Sequence, residues 1–173
     1  MAITLYDISV ANYLQTVAAV GGFLEKGLAF CREKNIDPEE IVESRIIADM
    51  KPFRFQIQQV ALHSIGAIDS IKAGARRFPG ERPQHDYAGL QKLIAETLDA
   101  LKKVSPAELN PYEGKEVVQE TSETKRVFTA EGFILSFCLP NFHFHATTAY
   151  DILRGKGVPL GKRDYMGTLR LKA

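Results

Sequence analysis

Apolar residues recur at spacings of three and four along four long segments of this sequence. That period, about 3.6 residues, is the period of an amphipathic α-helix. The segments span residues 9–35, 51–77, 87–104 and 130–154, and neither half of the chain is rich in strand patterns. We therefore predict a mainly all-α fold, an up-and-down four-helix bundle whose core can hold a metal or ligand site.

The predicted core faces follow from the same spacing. The second helix should bury Phe53, Ile57, Val60, Ser64, Ala67, Ile68 and Ile71. The first should bury Val10, Leu14, Val17, Ala18, Gly21, Leu24 and Leu28. Tyr6, Tyr13 and Phe23 lie on or near that first helix, and one subunit need not bury all three. A homodimer through one bundle face is therefore an open prediction.

Capping residues mark several helix ends. Ser9 and Asp86 precede the first and third helices, where their side chains can accept hydrogen bonds from the first amides. Asp37 followed by Pro38 predicts a short extra helix that continues to about Ser44. The prolines and glycine of "RFPGERPQ" should end the second helix.

The period changes between the third and fourth helices. Val117 with Val118, and Val127 with Phe128, form two short apolar runs around the polar "TSET". Such runs predict a small β-hairpin inserted between these helices. The tail "GKRDYMGTLRLKA" is expected to be irregular.

Composition bounds the class of protein. The length of 173 residues suits one domain, residues 1–173. Lys and Arg total 22 against 21 Asp and Glu, without a basic stripe, so we do not expect nucleic-acid binding. No apolar run approaches the ~18 residues of a membrane span and no signal segment begins the chain, so we expect a cytoplasmic protein without membrane contact. Cys31 and Cys138 have no CxxC spacing and are predicted to be buried thiols.

The stretch "PNFHFHATTAYDILR" contains two histidines, His143 and His145. Side chains two residues apart on a helix point about 160° away from each other, so the two rings cannot face one site. His145 shares its side of the helix with an apolar stripe that includes Cys138 and Asn141, whereas His143 lies on a polar side. Pro140 should kink the helix just before them, because it has no N–H to donate.

The other two histidines differ in their expected surroundings. His63 lies about 90° from the centre of the apolar face of the second helix, so it can reach the core edge or stay in water. His85 follows the proline-rich loop and is predicted to be a surface residue. A single histidine on an apolar face is usually a hydrogen-bonded core residue, so that role stays open for His145 beside metal binding.

Three stretches carry a family resemblance: "RIIADMKPFRFQIQQVALH", "PNFHFHATTAYDILR" and "GVPLGKRDYMG". Through them, and over nearly its whole length, the chain resembles a domain-of-unknown-function family that is similar to the DinB/YfiT-like superfamily, in which metalloenzymes occur. Members of that superfamily are four-helix bundles. The resemblance therefore implies the same fold that the helical periodicity predicts.

The resemblance also implies a ligand set. In such bundles one histidine on the second helix and two histidines, four apart on the fourth, hold a divalent metal, and some members are thiol-dependent. His63 and His145 match two of these positions, and Asn141 stands where the third histidine would be. An amide oxygen suits magnesium or calcium better than zinc. Cys138, a turn before Asn141, is the alternative third donor.

Two functions remain open at this stage. One is a metal-dependent transferase or hydrolase that uses zinc, nickel or manganese and acts on a small molecule or a thiol. The other is a metal-free bundle that binds a small ligand or is structural or stress-associated, in which His63, Asn141 and His145 form a buried hydrogen-bond cluster. The sequence has no nucleophile elbow and no glycine-rich phosphate loop in a strand-to-helix context, so we assign no catalytic residue.

Overall fold

The computed structural model describes residues 2–76 and 83–172. Within these residues the α-helices are α1 Leu5–Ile8, α2 Val10–Lys34, α3 Pro38–Val42, α4 Phe53–His63, α5 Ile65–Ala73, α6 Tyr87–Lys103, α7 Pro106–Leu109, α8 Ala130–Gly132, α9 Leu139–Gly155 and α10 Lys162–Met166. A 3₁₀ turn spans Asn110–Tyr112, and a π-helix, Phe133–Cys138, joins α8 to α9. The strands are β1 Glu116–Glu120 and β2 Lys125–Thr129.

Four long helical units form the bundle: α2, α4 with α5, α6, and α8 through α9. Helix α4 packs against α9 and α6, and α2 packs against α6 and α9. The two strands pair as an antiparallel hairpin between the third and fourth units, with Glu116 opposite Thr129. The prediction of a mainly helical bundle with an inserted hairpin is confirmed. No described helix combines the length and the hydropathy needed to cross a membrane.

The core face of α2 differs from the predicted stripe. Val10, Val17 and Leu24 are buried as predicted, but Ala18 is exposed and Leu14, Gly21 and Leu28 are only partly buried. The large side chains Tyr13, Val20 and Phe23 are buried instead, each 0 % exposed. The reason is that α2 packs against both α6 and α9, which together cover a wider face than one stripe. Because Tyr13 and Phe23 are buried, they give no support to a homodimer interface.

Two serines interrupt helices that the sequence predicts to be continuous or capped. Ser9 does not cap α2; its hydroxyl donates to the Leu5 carbonyl at 2.5 Å, and α1 precedes it. Ser64 divides the second predicted helix into α4 and α5, and its hydroxyl donates to the Val60 carbonyl at 2.6 Å. Both side chains are buried, and serines that bond back to the carbonyl four residues earlier often bend a helix.

The second helical unit otherwise follows its prediction. All seven residues of its predicted core face are buried. Helix α5 ends at Ala73 and is capped by Gly74, whose φ of +67° suits glycine in the left-handed cap. The predicted end at Arg77 and most of the "RFPGERPQ" break lie outside the described residues.

The fourth unit contains a π-helix in place of a simple proline kink. The π-helix Phe133–Cys138 directly precedes α9, and Pro140 lies in the first turn of α9. An extra residue in a turn rotates the residues before it relative to those after it. A helical wheel of constant period therefore fails between Cys138 and His145.

The N-terminal caps of α3 and α6 agree with the sequence prediction. The Asp37 side chain accepts from the Glu39 amide at 3.0 Å, and Asp86 accepts from the Gly89 amide at 2.7 Å.

The C-terminal tail is not wholly irregular as predicted, because it contains α10, which packs on α2. Lys26 and Asp164 form an ion pair at 2.5 Å across that contact, which joins α2 to α10.

Replacing Gly27 by alanine is expected to lower the free energy of unfolding by about 1–3 kcal/mol. Gly27 is buried on α2, and an added Cβ would collide with the Tyr87 hydroxyl and lie 3.2 Å from Leu153 Cδ2. That hydroxyl donates to the Leu24 carbonyl at 2.8 Å, so it cannot move away without losing a buried hydrogen bond. Urea denaturation measures the change.

Gly22 provides the matched control on the same helix. It is exposed, and an added Cβ would meet nothing within 4 Å. Gly22→Ala should therefore raise the free energy of unfolding by roughly 0.5–1 kcal/mol through helix propensity alone. If Gly27→Ala stabilised the protein as much as Gly22→Ala, the close packing inferred at Tyr87 would be wrong.

Candidate histidine site

The packing of α4 against α9 brings His63 and His145 together. Their ring centroids lie 5.8 Å apart, and their planes are inclined by only 17°. His63 is the last residue of α4 and is 4 % exposed, so the structure resolves the two alternatives for it in favour of burial. His145 is half-buried. The site therefore has a closed side at His63 and a more open side at His145.

The spacing of the two ring centres is compatible with a shared metal ion. Imidazole nitrogens bond zinc at about 2.0–2.1 Å, which places the centroids of two rings on one ion roughly 5–6 Å apart. The observed 5.8 Å agrees with that range. The distance between the ring centres is therefore compatible with two imidazoles on one ion.

A glutamine holds His145 from α4. Gln56 is 2 % exposed, and its Oε1 lies 2.7 Å from Nδ1 of His145. Its Nε2 donates to the carbonyl of Lys51 at 2.8 Å. Sequence reasoning did not select Gln56. The available signal was its position seven residues before His63, since two turns of α-helix bring a residue back to the same face.

Aromatic side chains surround His63 and His145. Phe55 and Phe144 lie edge-on to His145, with centroids at 5.8 and 5.2 Å. Phe137, from the π-helix, lies 5.6 Å from His63, and the guanidinium carbon of Arg76 is 4.4 Å from the centre of the Phe137 ring. Apolar walls strengthen polar interactions inside a site because they exclude water.

The hairpin supports one of these walls. Its Phe128 lies 6.2 Å from Phe137, centroid to centroid. Val118 of β1 forms a parallel bridge with Ala75, and the amide of Val118 donates to the Gly74 carbonyl at 2.9 Å. The hairpin is therefore attached to the end of α5 and packs on the aromatic residue that contacts His63.

Asn141 is bonded within its own helix. Its Nδ2 donates to the Phe137 carbonyl at 2.7 Å, and the residue is half-buried. That carbonyl belongs to the π-helix, where the change of period alters the usual bonding. The amide nitrogen of Asn141 is thus used by the backbone, and only its oxygen remains a candidate donor for an ion.

Cys138 is not brought into a ligand cluster. Its side chain is 1 % exposed, and burial raises the pKa of the thiol to about 12, although nearby Arg76 acts to lower it. Metals bind the thiolate form of cysteine, and a raised pKa disfavours that form, so Cys138 is a poor candidate ligand. Among residues 2–76 and 83–172, no group of three or more His, Cys, Asp or Glu side chains could hold a metal ion.

The remaining histidines lie elsewhere. His143 is exposed on the other side of α9, as helical geometry requires, and its Nδ1 is 3.1 Å from the Tyr165 hydroxyl. Loss of solvation beside α10 lowers the pKa of His143. His85 is half-buried, not fully on the surface as predicted, because its Nδ1 is 3.0 Å from Nε2 of Gln58.

Comparison with known proteins places this arrangement in context. Residues 5–166 match the model of a domain of unknown function, DUF1993. The fold is similar to the crystal structure of a DinB family member protein from Shewanella denitrificans, with a TM-score of 0.83 and 27% sequence identity. That match covers 98% of this chain and 95% of the other. No curated protein matches the sequence significantly.

Proposed function

The chain belongs to the DUF1993 family of domains of unknown function, and on that premise we propose that it is a divalent-metal-dependent enzyme. Its reaction would be of the thiol-dependent transferase or hydrolase type, with His63 and His145 as metal ligands in the bundle core. The observation that carries the proposal is the pair of near-parallel imidazoles whose centroids are 5.8 Å apart. The likeness to a DinB family member protein supports the same class of fold.

The donor set restricts the ion. Two neutral imidazoles favour borderline metals such as zinc or nickel over magnesium or calcium, which prefer oxygen, and manganese would depend more on the oxygen donor. A bound divalent ion would supply Lewis-acid polarisation of a substrate and would lower the pKa of a water or thiol bound to it. The oxygen of Asn141 is the protein's candidate for a third donor. Two imidazoles and one oxygen would leave a position for such a molecule.

The residues around the pair have separate roles in this proposal. Gln56 orients His145 by the hydrogen bond at 2.7 Å. Phe137 covers the His63 side and keeps water from it. A small-molecule substrate or a thiol would approach from the His145 side, where Phe144 is 57 % exposed. No side chain is assigned as a general acid or base.

A second candidate function has an observation of its own. The described residues contain no cluster of three metal-ligating His, Cys, Asp or Glu side chains. In a metal-free bundle, His63, His145 and Gln56 would form a polar cluster that fixes the register of α4 against α9 or binds a small polar ligand. Such a cluster would be structural or ligand-binding and would perform no metal chemistry.

Metal content separates the two functions. Protein purified without a polyhistidine tag is expected to contain zinc, nickel or manganese at close to one ion per chain, and a chelator is expected to lower its melting temperature. Elemental analysis and thermal melting measure these quantities. Absence of metal, together with no thermal gain on adding any of the three ions, would overturn the enzyme proposal and favour the metal-free bundle.

A further inference from the structure

The side-chain amide of Gln56 has only one orientation that satisfies both of its partners. Its Nε2 position lies 2.8 Å from the carbonyl oxygen of Lys51. A backbone carbonyl can only accept a hydrogen bond, so the amide NH₂ must face it. The amide oxygen must then face the other partner, His145. The assignment thus comes from the hydrogen-bond network, as it must for any glutamine amide.

That orientation determines the position of the proton on His145. The amide oxygen of Gln56 can only accept, and it lies 2.7 Å from Nδ1 of His145. Nδ1 must therefore carry a hydrogen. In the neutral ring the other nitrogen, Nε2, then carries the lone pair. Two hydrogen bonds therefore connect the Lys51 carbonyl, through the Gln56 side chain, to Nδ1 of His145, which is 89 residues from Gln56. Together they decide which ring nitrogen of His145 is protonated.

We infer that Gln56 is a positioning residue that holds His145 in the tautomer protonated on Nδ1, so that Nε2 is the nitrogen presented to a divalent metal ion. This inference rests on the proposed function for its metal, but the tautomer itself is a property of the metal-free protein. Histidines that bind metals commonly donate their second N–H to a carbonyl or carboxylate, which fixes both ring orientation and tautomer. Here a neutral amide, 2 % exposed, takes that place.

One face of α4 contributes to the positions of both histidines. His63 and Gln56 both lie on α4, seven residues apart, and both are buried against α9. Helix α4 therefore provides one imidazole directly and orients the second through Gln56. A shift of α9 along α4 would break the 2.7 Å contact before it separated the two rings, because a hydrogen bond tolerates less displacement than ring packing does.

The test compares two variants with the wild-type protein. Gln56→Met removes both the acceptor for His145 and the donor to Lys51. Gln56→Glu also loses the donor to Lys51 but keeps an oxygen acceptor for Nδ1. The two variants therefore differ in whether an oxygen acceptor faces Nδ1, with an acidic acceptor in Gln56→Glu, and thermal melting confirms that each variant folds.

The direct readout is the tautomer of His145 in metal-free, ¹⁵N-labelled protein, measured by long-range ¹H–¹⁵N NMR at about pH 8, where an ordinary imidazole is neutral. His145→Ala identifies the signal by its loss. We expect the proton on Nδ1 in the wild-type protein and in Gln56→Glu, and a shift of the proton toward Nε2 in Gln56→Met. A wild-type ring protonated on Nε2 would overturn the inference, whether or not the Gln56 variants fold.

Zinc titration provides the second readout. Loss of an orienting partner typically weakens metal binding about 10- to 100-fold, so Gln56→Met should show that loss and Gln56→Glu should not. Equal weakening in both variants would contradict a positioning role for the oxygen. If the wild-type protein showed the Nδ1 tautomer but bound none of zinc, nickel and manganese, the proposed enzyme function would fail while the role of Gln56 in holding His145 would stand.

Discussion

His145→Ala is expected to remove the stability that zinc gives to the wild-type protein. At zinc concentrations 100 times the dissociation constant, a ligand that binds only the folded state adds about 2.7 kcal/mol to the free energy of unfolding. For a chain of this size, that corresponds to a rise of about 5–10 °C in melting temperature. His63→Ala should lose the same gain, because the proposed site has only two imidazoles, 5.8 Å apart.

His143→Ala is the control for this experiment. His143 lies two residues before His145 on α9 but faces away from the site and contacts Tyr165. It should therefore keep the full zinc-dependent rise. Melting curves with zinc and with a chelator measure all three variants. If zinc stabilised His63→Ala and His145→Ala as much as the wild-type protein, the ion would bind elsewhere and the proposed site would be wrong.

Phe142→Ala is expected to lower the free energy of unfolding by about 3–5 kcal/mol. Phe142 is 0 % exposed and packs edge-on against Tyr13, with centroids 4.9 Å apart. Its removal would leave a cavity between α2 and α9 and would expose part of the buried Tyr13 ring. Equilibrium denaturation in urea measures the loss.

Phe144 makes a matched control, because it has the same side chain on the same helix. It is 57 % exposed, so Phe144→Ala should change the free energy of unfolding by only about 0.5 kcal/mol. A similar loss for both variants would mean that α9 does not bury the face described for it. Phe144 also lies 5.2 Å from His145, so its variant can be used in zinc titrations without loss of the fold.

The parts of the fold that sequence reasoning predicted well are those governed by neighbouring residues. The third long helix was predicted at residues 87–104 and is found at Tyr87–Lys103, with Asp86 as its cap. The hairpin around "TSET" appears as β1 and β2. In both cases a cap or a change of period acts within a few residues, so the signal is present in the sequence itself.

Other features depended on contacts that a helical wheel does not contain. The wheel placed Ala18 in the core, but α6 and α9 bury Tyr13 and Phe23 instead. The helix breaks at Ser9 and Ser64 lie at buried serines whose hydroxyls bond back to the helix backbone, and that burial comes from tertiary packing. The π-helix before Pro140 similarly changes the angle about the helix axis between the side chains of Cys138 and His145.

The same distinction between local and tertiary determinants applies to the candidate site. The sequence by itself determined that His143 and His145 lie on opposite sides of one helix, because backbone geometry within a helix depends only on residue spacing. Only the tertiary structure decided that His63 is buried, that its ring lies 5.8 Å from His145, and that Gln56 bonds His145. These contacts join residues more than 80 positions apart, and they are decided by how the faces of α4 and α9 pack together.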